Sequence, residues 1–69
     1  MTANEALDNY MSSLSPRERI AKSRDLRNLG NISPWNLSDW RKGRVKISPQ
    51  MQAKISGILG ENIFVDVDN

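Results

Sequence analysis

The sequence predicts an all-α fold on three grounds: helix-start signals at four places, apolar residues at helical spacing behind them, and glycines where the patterns stop. Three Ser-Pro dipeptides, Ser15-Pro16, Ser33-Pro34 and Ser48-Pro49, each precede a stretch compatible with helix. Serine at the N-cap accepts a hydrogen bond from a backbone amide that has no partner within the helix. Proline at the first helical position loses nothing, because its missing N–H had no partner there. Glu18, three residues after Ser15, completes a capping box, and Thr2 with Glu5 repeats the spacing near the start of the chain. The expectation is a compact bundle of four helices, or five, with a short C-terminal extended segment.

The first helix, residues 3–14, places Ala3, Leu7, Tyr10, Met11 and Leu14 on one stripe, read as core. In the second, residues 16–29, Ile20, Ala21, Leu26 and Leu29 do not share a narrow face. Either the helix bends near Ser23 and Arg24, or its apolar contacts go to two neighbours, and Gly30-Asn31 supplies the stop. The third, residues 34–42, carries Leu37 and Trp40 on one side and ends at Gly43, which takes up a left-handed conformation cheaply. The fourth, residues 49–59, is expected to bury Met51, Ile55, Ile58 and Leu59, with Ala53 and Gly57 allowing close approach and Gly60 as the stop. Beyond it the period changes to two: Ile63, Val65 and Val67 alternate with Phe64, Asp66 and Asp68. This is either a half-buried strand or a tail in which only Ile63 and Phe64 pack on the core. A lone strand needs a partner, and the nearest is the same strand of a second copy, which makes 63–67 a candidate dimer element.

Composition narrows the function. Sixty-nine residues suit one domain, 1–69, whose last part, 61–69, is the tail. With no cysteine there is no disulfide or thiolate metal site, and with no histidine the commonest metal ligand and general base is missing. Catalysis, cofactors, bound metal and a small-molecule substrate are therefore not expected. No apolar run is long enough for a signal peptide or a membrane span, so the expected location is the reducing cytoplasm. The net charge of +2 conceals a lopsided distribution. Both ends are acidic, whereas residues 16–46 hold nine basic side chains against three acidic ones, a segment a polyanion would prefer.

The segment 31–47 reads N-I-S-P-W-N-L-S-D-W-R-K-G-R-V-K-I. With Ile32, Ser33, Leu37, Trp40 and Gly43 it resembles the lambda-repressor-like helix-turn-helix domains, also called Cro- or XRE-type. In those domains an apolar residue and a Ser precede a recognition helix that ends in Trp-x-x-Gly plus basic residues. Ser48 to Gly60 and Phe64 look like that family's next helix and closing apolar residue, so the resemblance covers roughly residues 25–64. Two features depart from the family pattern. Arg27 stands where a small Ala is usual, and the turn between Leu29 and Ile32 is one residue longer, which bears on the angle between the two helices and on docking to DNA.

The resemblance implies sequence-specific binding of double-stranded DNA by a small transcriptional regulator, a repressor or phage-type control protein, with a recognition helix over 33–43. Physical reasoning runs beside it. Such a helix buries one face, here Leu37 and Trp40, and leaves the other open to a major groove about as wide as a helix. Ser33, Trp35, Asn36, Ser38 and Asp39 have the length and polarity to reach base edges, with Trp35 either touching a thymine methyl or sugar or packing at the helix entrance. Arg41, Lys42, Arg44 and Lys46 suit phosphate contacts. Asp39 repels phosphate unless it accepts from a cytosine amino group or pairs with Arg41 or Lys42, and pairing is the expectation. A homodimer on two half-sites is expected to raise both affinity and specificity. The alternative is a protein–protein adaptor or antitoxin-like partner that keeps the fold without reading DNA, with Trp35 as an interface anchor.

Overall fold

Caps decide where the helices begin. Thr2 Oγ1 accepts from the Glu5 amide at 3.1 Å while Glu5 Oε1 accepts from the Thr2 amide at 3.0 Å. Ser15 and Glu18 make the same reciprocal pair, at 3.2 and 3.4 Å, and Ser48 Oγ accepts from the Met51 amide at 3.2 Å. The computed structural model accordingly contains α1 (Ala3–Ser13), α2 (Pro16–Arg27), α3 (Pro34–Arg41) and α4 (Pro49–Leu59). It describes residues 1–28, 34–65 and 67, with the side chains of 34–36 excepted; the expected cap at Ser33 and stop at Gly30-Asn31 lie outside them. The first three helices end a residue or two before the sequence expectation. After α1 the reason is local: Ser15 is extended both as N-cap and as the residue before a proline, and Leu14 is extended with it.

One apolar cluster holds the helices together. α1 contributes Ala3, Ala6, Leu7 and Met11, α2 Leu26, α3 Leu37 and Trp40, and α4 Ile55 and Leu59, with Ile47 and Phe64 joining from the segments between and after. Tyr10, Leu14, Met51, Ile63 and Val67 close its edge. The radius of gyration, 10.8 Å, is what a compact chain of this length has, about 11 Å. Among the described residues no helix is long and apolar enough to cross a membrane.

Three expectations are corrected. α2 is one continuous helix against both α3 and α4, the second of the two arrangements expected for it, and is not interrupted near Ser23 and Arg24. Its apolar residues do not all serve that packing: Leu26 is buried, Ile20 is 62% exposed, Ala21 is exposed and Leu29 lies outside the described residues. In α4, Ile58 is exposed, Ala53 is exposed, and among the described residues nothing lies within 4 Å of the position a Cβ on Gly57 would take, so the expected close approach at Gly57 is not made by them.

The third correction concerns the tail, which forms no strand among the described residues. Asn62 Oδ1 accepts from the Phe64 amide at 3.0 Å and from Ser56 Oγ at 3.2 Å, a side-chain turn that satisfies Phe64 locally and ties it to the end of α4. Phe64 is 7% exposed while Val65 is 71% exposed although Ile63 and Val67 pack on the core, so neither face of an alternating strand is kept. Packing of Ile63 and Phe64 on the core was the other reading of these residues, and Val67 joins them.

Candidate functional site

α3 and the segment that follows it are positioned from the inside. Leu37 and Trp40, three apart in α3, are both buried, and Ile47 is buried seven residues further on. Between these anchors the chain reverses at Gly43, whose φ of +75° is one that side-chain-bearing residues rarely adopt. The Gly43 amide donates to the Trp40 carbonyl at 3.1 Å and the Arg44 amide to the Asp39 carbonyl at 2.9 Å, the paired bonds of a Schellman cap.

A second clasp comes from α1. Asn4 Nδ2 donates to the Trp40 carbonyl at 2.8 Å and to the Val45 carbonyl at 2.7 Å, fastening the end of α3 and its loop to the first turn of α1. Further along α1, Asp8 Oδ1 accepts from Arg41 Nε at 2.8 Å, and Ser12 Oγ accepts from Arg41 Nη2 at 3.3 Å. Three side chains of one α1 face thus hold the same short helix.

Lys42, Arg44 and Lys46 are exposed on the loop so held. They alternate with Gly43, Val45 and the buried Ile47, so the cations sit on a short, well-anchored segment rather than on a free tail. Arg44 is 67% exposed at its side chain and lies 3.7 Å from Asp39 Oδ1. A surface pair at that separation is weak, worth at most about 1 kcal/mol, and leaves the guanidinium free to change partner.

The residues singled out in the sequence divide into groups. Ser38 and Asp39 are half-buried on α3, and Lys42, Arg44 and Lys46 come together just beyond it. Arg41, expected on phosphate, is turned onto α1, because a carboxylate lies within direct reach there. Asp39 does pair with a base, but with Arg44 instead of Arg41 or Lys42: Gly43 folds the chain back and brings Arg44 over the end of α3. Ser33 and the side chains of Trp35 and Asn36 lie outside what is described. Sequence reasoning missed Asn4 and Asp8, which follow the buried stripe of α1 by one residue each. That adjacency is the one signal that could have marked them as facing a neighbour. Comparison of the chain with protein-family models, with curated proteins and with solved structures returns no match.

Proposed function

We propose that the chain is a double-stranded DNA-binding regulator rather than an enzyme, with a lambda-repressor-like helix-turn-helix formed by α2 and α3. α3 is its recognition helix, and Ser33, Trp35, Asn36, Ser38 and Asp39 read base edges. Lys42, Arg44 and Lys46 grip phosphates, and Arg41 holds the helix in position through Asp8. The observation that carries the reading is the two-sided anchoring of α3. Leu37 and Trp40 face inward, while the three loop cations stand exposed at its end. The basic middle of the sequence and the resemblance of residues 31–47 support it. Cations at fixed positions neutralise phosphates and release counterions, which sets register without reading sequence.

Selection from a random duplex pool with the purified chain tests binding, specificity and half-site symmetry together. A recovered motif with two-fold repeats one helical turn apart is expected if two copies bind side by side. Replacing Arg44 and Lys46 together with Ala is expected to weaken binding to every sequence and to reduce the salt slope by about 2. An unchanged slope in that variant overturns the phosphate assignment.

A second reading is a protein-binding adaptor on the same fold, favoured by the exposed apolar side chains Ile20 and Val65. Salt separates the two: an apolar interface hardly weakens as salt rises, whereas DNA binding weakens steeply.

A further inference from the structure

Where α1, α2 and α3 meet there is an open cleft of about 510 Å³, floored by Leu37 and lined by Asp8, Ser23, Arg27, Ser38, Arg41 and Lys42. Its charges are unequal in what they have left to give. Asp8 and Arg41 face each other at 2.8 Å and largely cancel. Arg27 and Lys42 are exposed, and among the described residues neither has a carboxylate partner. Arg27 Nε donates to the Ser23 carbonyl of its own helix at 3.3 Å, which steadies the guanidinium and leaves both terminal amino groups as donors. Two cations without a carboxylate partner that line one cleft repel each other, and an anion bound there offsets that repulsion. The planar fork of an Arg beside a mobile ammonium suits phosphate, and the Ser23 and Ser38 hydroxyls add polar lining.

Arg27 is also the residue that departs from the resembled pattern, standing where a small Ala is usual. It is exposed and lines the cleft, so its side chain is not packed between helices. Lys42 adjoins the loop that carries Arg44 and Lys46, so an anion in the cleft continues the same cationic surface onto α2. We propose that this cleft is a phosphate seat, in which Arg27 of α2 and Lys42, just beyond the end of α3, together hold one phosphodiester of the bound duplex. The seat rests on the DNA-binding reading and extends its phosphate grip across α2.

The test measures duplex affinity by fluorescence anisotropy over a series of salt concentrations, on the parent chain and on Arg27→Gln, Arg27→Lys and the Arg44/Lys46 double Ala variant. Loss of one phosphate contact lowers the magnitude of the slope of log K against log salt by about 0.9. Arg27→Gln is expected to show that drop, with affinity reduced by the same factor on selected and random duplex, and Arg27→Lys is expected to recover most of the slope. If Arg27→Gln keeps the parental slope while the double Ala variant loses its two contacts, the seat is overturned and the DNA-binding reading stands. If the parent binds no duplex at any salt, both fall together.

Discussion

α1 and α2 are of nearly equal length, 11 and 12 residues, and begin with the same reciprocal capping box, yet they play opposite parts in the molecule. α1 buries Ala3, Ala6, Leu7 and Met11, whereas α2 buries Leu26 alone. Fully burying a Leu or Met contributes about 1.5–3 kcal/mol, so α1 is a core element, whereas α2 has its one apolar anchor near its C-terminal end and is tied at its start by Arg19, which donates to the Met11 and Leu14 carbonyls at 3.0 and 3.1 Å. The difference teaches that a cap fixes where a helix starts and says nothing about how much of it is covered. A helix with one buried anchor has most of its circumference left over, and in α2 that surface carries Arg17, Arg24 and Arg27 in the open. α1 turns its polar side chains Asn4, Asp8 and Ser12 onto α3 and its loop instead.

The largest expected effect follows from that single anchor. Leu26→Ala should cost about 2–5 kcal/mol, a large share of the stability of so small a domain, as read from urea unfolding. Ile20→Ala, on the same helix but 62% exposed, should stay within about 0.5 kcal/mol. Equal losses at the two positions would break the contrast between α1 and α2.

Next comes Asn4→Ala, which strips a donor from the Trp40 and Val45 carbonyls. A cost of about 1–3 kcal/mol is expected, with faster amide exchange concentrated over residues 40–46. Uniform exchange would mean that Asn4 does not hold the loop.

The two caps sharpen the comparison at smaller cost. Thr2→Ala and Ser15→Ala should each lose about 1 kcal/mol. The loss in α2 should appear as local opening of its first turns, where no apolar side chain is buried and Arg19 alone, on the Met11 and Leu14 carbonyls, is seen to tie them to α1 among the described residues. In α1 Ala3, Ala6 and Leu7 tie the first turns to the core, so the loss should appear in global unfolding.

Smallest is a pH effect at α1. The bond that the Glu5 carboxylate accepts from the Thr2 backbone, followed by the one with its side chain, holds the Glu5 pKa below its ordinary value. A depressed folded pKa means stability that is present above the unfolded pKa and lost as pH falls through the folded one. A slight fall in thermal midpoint on acidification should therefore be reduced in Glu5→Gln.

What the sequence disclosed was local. The capping boxes at Thr2 and Ser15, the Ser48 cap, the Leu37 and Trp40 anchor and the turn at Gly43 all depend on neighbours within a few positions. Periodicity over-counted the core at Ile58, because an apolar residue on a helix is buried only where another element arrives to cover it, and a chain this short has few elements. The alternation over 63–67 suggested a strand for the same reason, and Asn62 overrode it by closing a turn. Asn4 with Val45, and Asp8 with Arg41, lie 41 and 33 residues apart, and no spacing rule reaches across such a gap. For the candidate site, the cations beyond α3 were legible; the assignment of Arg41 to α1 and the place of Arg27 in the cleft were not.

The most direct test is to titrate the isotopically labelled chain with a short DNA duplex and follow its backbone amide signals. The account predicts that the largest changes cluster at Ser38, Lys42, Gly43, Arg44 and Lys46, with little movement at Ala6, Leu7 and Ile55. Changes confined to α4 and the tail, or none at all, would contradict it.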